Sequence, residues 1–192
     1  MLVALAGAFW LLLAGWAGAG TEIRTLASYY RVSGQTAEAI YRSILRHGPN
    51  LHGQEAFAIT RPSYRMQGTA RMEGGMCRMH GMGLYIDFAM TLPRHADTGS
   101  LSPGLRLAWK HFSQHILDHE RRHVRIWRSC AEDAEARLRR LSAPDCGQLD
   151  QMAAKIIKQM EQSCAQRHDA FDKAEAKSLP GFKFMRMVRA GD

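Results

Sequence analysis

Residues 102–141 read SPGLRLAWKHFSQHILDHERRHVRIWRSCAEDAEARLRRL, and this stretch decides the fold class. Ser102 followed by Pro103 is typical of a helix start, because serine caps helix N-termini and proline suits the first helical position. Apolar side chains then recur at steps of three, four or seven, which predicts one long amphipathic helix that ends before Ala143-Pro144. The apolar face of this helix carries Trp109, Phe112, Ile116, Trp127, Cys130, Ala134 and Leu141.

The predicted helix also contains the pattern HExxH, at His119-Glu120-Arg121-Arg122-His123. Helical positions i and i+4 lie on one face about 6 Å apart along the axis, so both imidazoles can reach one Zn²⁺ at about 2.0–2.1 Å. The two histidines interrupt the apolar face, where a shared metal satisfies both rings at once. Glu120 is placed to act as the general base on an activated water. We therefore expect His119 and His123 to bind zinc and Glu120 to be catalytic.

Two alternatives to a metal site stay open at this point. One is a pair of core histidines satisfied by other partners, and the other is a surface helix that matches the pattern by chance. His111 and His115 continue the series of histidines at every fourth position, and we expect them to line a cleft or to be solvated. His115, one turn before His119, is a candidate oxyanion donor.

A catalytic zinc usually takes three protein ligands, so a third must come from elsewhere in the chain. The longer metzincin pattern requires glycine and histidine where this chain has Ile126 and Ser129, which excludes that class. A second long helix is predicted from Leu149 to about Lys177, with a buried face that carries Met152, Ile156, Met160 and Cys164. Three polar residues share another face of this helix, and we expect one of them to reach the metal: His168, Asp172 or Glu175.

The segments before the long helix predict a small sheet and one short helix. The expected elements are a strand at 29–32, a helix at 37–46, and strands at 56–66 and 77–92. Gly74-Gly75 marks the turn of a hairpin, Pro62 confines its strand to an edge or a bulge, and residues 93–99 read as a loop. The predicted fold class is therefore α+β: a small antiparallel sheet with a short helix packed on two long antiparallel helices. The HExxH pattern lies on the first long helix, a zincin-like arrangement.

The N-terminus predicts export. Residues 1–20 contain no charged side chain, and Ala17-Gly18-Ala19 fits the A-x-A cleavage preference of secretory signals. We therefore expect a signal peptide at 1–20 and a single zinc-dependent protease domain at 21–192, periplasmic or secreted. The alternative is an uncleaved membrane anchor, because about 20 apolar residues can span a bilayer. Membrane contact is expected only in that case.

The net charge of +8 arises from 26 Lys and Arg against 18 Asp and Glu. The basic residues are scattered through the predicted helices without a nucleic-acid-binding motif, so we expect no nucleic-acid partner. The expected partner is a peptide or protein substrate, which includes components of the cell envelope.

Four cysteines in an exported chain suggest two disulfides. Cys146 and Cys164 are expected on one continuous helix about 27 Å apart, beyond the reach of a disulfide. Two pairings remain open: Cys77–Cys146 with Cys130–Cys164, and Cys77–Cys164 with Cys130–Cys146. No two cysteines have the close spacing of a Cys₄ zinc site.

The order of these features resembles the bacterial DUF922 family, described as predicted secreted zinc-dependent proteases. The resemblance is carried by Tyr30-Arg31-Val32-Ser33-Gly34, Gly48-Pro49, Leu92-Pro93, the Trp109 helix and the HExxH pattern. In that family a tyrosine-aspartate pair follows on the last helix, and Phe171-Asp172 matches it here. The resemblance implies zinc as the cofactor and Asp172 as the preferred third ligand, with His168 as the second choice for that ligand. Lys177-Ser178 stands where the family has histidine-glycine, a departure that bears on activity.

These observations predict a secreted zinc-dependent metallopeptidase that cleaves a peptide bond. The main alternative is a non-catalytic exported module that binds metal or interacts with the cell envelope. A third possibility is an amidase that acts on cell-wall peptides, because it would use the same chemistry.

Overall fold

The computed structural model describes residues 20–51 and 53–192, and in this part of the chain a sheet packs against long helices. The strands are β1 (Thr21–Val32), β2 (Asn50–Leu51), β3 (Gln54–Glu55), β4 (Ile59–Glu73), β5 (Met76–His95) and β6 (Ser142–Ala143). The helices are α1 (Ala37–His47), α2 (Pro103–Leu138), α3 (Cys146–Ala176) and α4 (Lys183–Ala190), with 3-10 turns at Thr98–Ser100 and Leu179–Gly181. The α+β class predicted from the sequence is confirmed.

The predicted signal peptide or anchor lies outside the described residues, except for Gly20. Within the described ranges, none of the helices combines the length and the apolar character that a membrane span requires.

The main sheet is mixed, and the prediction of an antiparallel sheet was wrong. β5 is central: β4 pairs antiparallel with it, whereas β1 pairs parallel with it from Thr21↔Leu84 to Val32↔His95. The short β6 also pairs with the start of β5. A parallel neighbour requires the chain to cross over between the strands, here through α1 and β4, and no residue pattern inside β1 encodes that direction.

β1 is also longer than the expected strand at 29–32. Most of its residues are exposed, so the alternation of buried and exposed side chains that signals a strand is weak before residue 29. β5 likewise runs on to His95 through part of the expected loop, because Pro93 and Arg94 stay paired with Tyr30 and Arg31.

The hairpin of β4 and β5 is confirmed. Its turn is Gly74-Gly75, with φ of 57° and 80°, values that favour glycine over residues with a Cβ atom. Pro62 lies on β4, an edge strand of this sheet, where a residue without an N–H group costs no ladder hydrogen bond. β4 extends to Glu73, beyond the expected end at Met66.

Local capping chemistry starts the three longer helices. The hydroxyl of Thr36 accepts a hydrogen bond from the Ala39 N–H at 3.1 Å, and that of Ser102 accepts one from Leu105 at 3.4 Å. Asp145 accepts from the Gln148 N–H at 2.8 Å, which starts α3 at Cys146, three residues before the expected Leu149. Both long helices are thus confirmed, and each begins where a side-chain acceptor satisfies a free backbone N–H.

The buried side chains form two clusters, and α2 contributes to both. One cluster joins the first part of β5 to the second half of α2 and to α3. The other joins the last part of β5 to α1, the first half of α2 and Phe184 of α4. On α3 the buried stripe is Leu149, Ala153, Ile156, Met160 and Cys164. Met152 was expected in that stripe but is 43% exposed, because it lies one residue, or about 100°, away from Ala153.

Two disulfides cross-link α3, one to the sheet and one to α2. Cys77–Cys146 joins the start of β5 to the start of α3, and Cys130–Cys164 joins α2 to α3, with Cα atoms 5.2 Å and 6.1 Å apart. This is one of the two pairings that the sequence left open. Cys146 and Cys164 both lie on α3 and do not pair with each other, as expected.

Candidate metal centre

The helices α2 and α3 bring two imidazoles and one carboxylate together. His119 Nε2 and His123 Nε2 lie 3.0 Å apart. Oδ1 of Asp172, on α3, lies 3.3 Å from Nε2 of His119 and 3.1 Å from Nε2 of His123. Three ligand atoms around a tetrahedral Zn²⁺ at about 2.0–2.1 Å stand about 3.3 Å from one another. The cluster therefore has nearly the dimensions of a coordination triangle and could hold a metal ion.

The charge distribution of the cluster suits a cation. Burial alone would raise the pKa of Asp172, but the hydrogen bonds from His119 and His123 outweigh it and hold that pKa well below its usual range. Burial lowers the pKa of His119, and its bond to Asp172 together with the charge of Glu120 reverses the shift and raises it. Asp172 is half exposed, whereas the two histidine side chains are mostly buried, so the cluster opens to solvent on the Asp172 side.

Glu120 lies beneath this cluster, against the sheet. Its side chain is 4% exposed, and one carboxylate oxygen accepts a hydrogen bond of 2.6 Å from the Thr60 hydroxyl on β4. Burial raises the pKa of Glu120, and the bond from Thr60 opposes part of that shift. No local sequence signal singled out Thr60, because its contact with Glu120 exists only once β4 packs on α2.

His168 and Glu175, the other two candidates for the third ligand, occupy different positions. Nδ1 of His168 lies 2.7 Å from Nδ1 of His123, on the other side of that ring from the cluster. Oε2 of Glu175 lies 4.0 Å from Nδ1 of His119 and 3.4 Å from Nε2 of His115. Of the three candidates, Asp172 is the one whose side chain reaches the pair of Nε2 atoms. That these atoms bind a metal stays a prediction.

Burial also lowers the pKa values of two neighbouring imidazoles. It lowers the pKa of His168 to about 4, with the nearby His123 acting in the same direction. It lowers the pKa of His115 as well, against the opposing charge of Glu175. His111 is exposed on the surface of α2 and is not part of the cluster.

Aromatic rings enclose the histidines. Phe171 stacks on His119 with ring centroids 4.8 Å apart and meets the edge of His123 at 5.3 Å. Phe182, which no motif pointed to, covers His115 at 4.2 Å. These contacts limit the freedom of the imidazoles and lower the local polarity around them.

The donor set is appropriate for a transition metal. Two neutral imidazole nitrogens and one carboxylate oxygen form a three-ligand set that zinc enzymes use, with room for a further ligand. The two Nε2 atoms and the shared carboxylate oxygen face one another at 3.0–3.3 Å, so a cation at their centre would replace the hydrogen bonds between them. The residues therefore fit a bound metal.

A family model described as "Bacterial protein of unknown function (DUF922)" matches residues 27–178 of this chain. The matched region includes all three residues of the cluster as well as Glu120. Neither the curated proteins nor the solved structures yield a match to the chain.

Proposed function

The chain belongs to the DUF922 family of bacterial proteins of unknown function, and from this premise we propose that it is a secreted zinc-dependent metallopeptidase. The observation that supports the proposal most is the triangle formed by His119 Nε2, His123 Nε2 and Asp172 Oδ1, with edges of 3.0–3.3 Å. A zincin-like use of the HExxH helix is part of the proposal. Export, to the periplasm or the medium, rests on the apolar first twenty residues.

In this proposal the three residues of the cluster hold the zinc. Bound zinc would supply Lewis acidity, which polarises a substrate carbonyl and makes water easier to deprotonate. Glu120 takes the proton from the attacking water as its oxygen bonds to the carbonyl carbon. Glu120 then gives that proton to the nitrogen as the carbon–nitrogen bond breaks.

The environment of Glu120 supports this role. A raised pKa brings a carboxylate closer to the range in which it can both accept and return a proton near neutral pH. Thr60 donates a hydrogen bond to one carboxylate oxygen, and in this proposal the other oxygen accepts the proton of the water. The substrate class in this proposal is an extended peptide or an envelope component with accessible amide bonds.

One observation favours a second candidate, a non-catalytic exported module that binds metal or interacts with the cell envelope. The chain has Lys177-Ser178 where other family members are expected to have histidine-glycine. If that histidine contacts substrate elsewhere in the family, this chain keeps the metal cluster without it.

The test compares purified wild type with Glu120→Gln in a zinc-dependent cleavage assay on casein and peptide libraries. We expect Glu120→Gln to bind zinc normally but to cleave about 10²- to 10⁴-fold more slowly, because it loses the general base. Glu132→Gln, an exposed change on the same helix, serves as the matched control and should keep full activity. Equal cleavage by wild type and Glu120→Gln, or a zinc-loaded wild type without activity, would contradict the hydrolase and leave the binding module.

Metal content is measured on the same proteins. Elemental analysis should give one zinc per chain in wild type and a loss in His119→Ala and His123→Ala. Comparison of protein substrates with cell-wall peptides then separates a peptidase from an amidase.

A further inference from the structure

His168 contacts the outer side of one member of the metal cluster. It lies on α3, one turn before Asp172, so both side chains face α2. Its Nδ1 is 2.7 Å from Nδ1 of His123, while Nε2 of His123 faces Asp172 and His119 at 3.1 Å and 3.0 Å. The two nitrogens of the His123 ring therefore have different neighbours. Nε2 faces the cluster, and Nδ1 contacts His168.

Proton counting restricts how this contact can work. Two ring nitrogens 2.7 Å apart are in hydrogen-bond distance, so one proton lies between them and one of the nitrogens is a bare acceptor. A neutral imidazole that binds a metal through Nε2 carries its proton on Nδ1. If His123 is to bind metal, its Nδ1–H must then donate to Nδ1 of His168, and His168 must carry its own proton on Nε2.

We propose that His168 is a positioning residue, which accepts a hydrogen bond from Nδ1–H of His123 and so holds Nε2 of that ring as the metal-binding atom. The proposal rests on the metal site of the proposed function. It assigns to His168 a role different from that of a ligand.

The surroundings of His168 support this role. Its ring packs between Trp127 and His123, with centroids 5.8 Å and 4.9 Å away, so it has little freedom to turn toward the cluster. Its Nε2 is buried and has no hydrogen-bond partner within the part of the chain that the structure describes. Within the same described residues, the bond to His123 is the one hydrogen bond that the ring of His168 makes.

Among residues 20–51 and 53–192, His119 has no equivalent acceptor at the same distance. Oε2 of Glu175 lies 4.0 Å from Nδ1 of His119, beyond the range of a hydrogen bond. The two histidines of the HExxH pattern are thus held differently, and the positioning role of His168 applies to His123 alone.

The test measures zinc affinity by competition with a chromogenic chelator, in full-length wild type and three variants. His168→Leu removes the acceptor, whereas His168→Asn places an amide oxygen near the position of Nδ1 and keeps it. Gln166→Leu is the control, an exposed change on the same helix. We expect His168→Leu to weaken zinc binding about 10- to 100-fold, His168→Asn to recover most of that loss, and Gln166→Leu to match wild type.

Equal affinity in wild type and His168→Leu would overturn the proposal. So would a His168→Asn variant as weak as His168→Leu, because packing rather than the hydrogen bond would then be the cause. Should His168→Leu not fold, nitrogen NMR of the histidine rings in zinc-loaded wild type decides the question. A proton on Nε2 of His168 supports the proposal, and a proton on its Nδ1 contradicts it.

These results are separable from the test of catalysis. If His168→Leu binds zinc as wild type does while Glu120→Gln is inactive, the role of His168 is refuted and the hydrolase stands. If His168→Leu loses affinity while Glu120→Gln cleaves normally, the positioning role stands and the hydrolase is refuted.

Discussion

At the scale of single residues, Asp172 contacts both imidazoles of the cluster through one oxygen. His119 and His123 bring their Nε2 atoms to 3.0 Å, and both face the same oxygen of Asp172. Their hydrogen bonds keep the pKa of this carboxyl below its usual range despite burial, so Asp172 stays ionised well into the acid range. This ionised carboxylate lies next to two nitrogens that can bind a metal, so it attracts a cation before any of the three side chains moves.

Tyr64 provides a test of pH dependence away from the cluster. Burial, together with its hydrogen bond to Glu161, raises the pKa of Tyr64 to about 12. Below its unfolded pKa of about 10, this tyrosine is neutral in both the folded and the unfolded chain. Between about 10 and 12 the unfolded chain releases the proton first, so the contribution of Tyr64 to stability should be lost as pH rises through this window.

The measurement for Tyr64 is the ultraviolet absorbance of tyrosinate, compared between wild type and Tyr64→Phe. The difference should show one phenol with a midpoint near 12. Glu161→Gln should bring the midpoint down only in part, because burial is the larger cause. A midpoint in wild type at the ordinary value of about 10 would show that neither effect acts on Tyr64.

At the scale of elements, the candidate site depends on the relative position of α2 and α3. The disulfide Cys130–Cys164 joins these two helices two turns from His123 and one turn before His168. Cys77–Cys146 instead joins α3 to the sheet at the far end of that helix. One cross-link therefore lies beside the metal cluster, and the other does not.

The two disulfides should differ in their effect on metal binding. We expect Cys130→Ala/Cys164→Ala and Cys77→Ala/Cys146→Ala each to lower the free energy of unfolding by about 2–4 kcal/mol, through greater freedom of the unfolded chain. Only the first pair should also weaken zinc binding, because it releases α3 next to Asp172. Denaturant titration and chelator competition measure the two effects. The same zinc affinity in both variants would show that the Cys130–Cys164 bridge does not set the helix spacing at the site.

At the scale of the whole molecule, the C-terminal segment completes one of the two core clusters. The family match ends at Ser178, and the residues after it form a 3-10 turn and α4. Phe184 of α4 is fully buried and stacks on Phe112 with centroids 4.6 Å apart. The backbone N–H of Glu38 donates to the carbonyl of Asp192 at 3.2 Å, so the segment also contacts the start of α1.

The segment after residue 178 should therefore contribute strongly to stability. Phe184→Ala is expected to lower the free energy of unfolding by about 3–5 kcal/mol, the usual cost of a cavity left by a buried phenylalanine. Phe182→Ala, a change at a half-buried ring two residues earlier, should cost less. Denaturant titration of both variants measures the difference. Equal losses would show that the ring of Phe184 is not the main anchor of the segment.

Much of the fold could be predicted because it depends on neighbours in sequence. Ser102 and Pro103 start α2, Thr36 starts α1, and Gly74-Gly75 turns the hairpin through interactions that span a few residues. The direction of β1 could not be predicted in this way. Its parallel partner β5 is distant along the chain, and the same exposed strand could pair in either direction with an unchanged local pattern.

The candidate site shows the same difference between local spacing, which is predictable, and tertiary packing, which is not. The pair of His119 and His123 was predictable because an α-helix places residues four apart on one face, whatever surrounds them. Helical spacing could not decide which of three polar residues on α3 would reach that pair, because all three share one face of the helix. Asp172 was indicated by the family resemblance alone. The packing of α3 on α2 brings Asp172 to the two Nε2 atoms, turns His168 to the back of His123 and sets Thr60 against Glu120. Such contacts depend on the rotation and spacing of whole elements, which arise from the burial of the entire core.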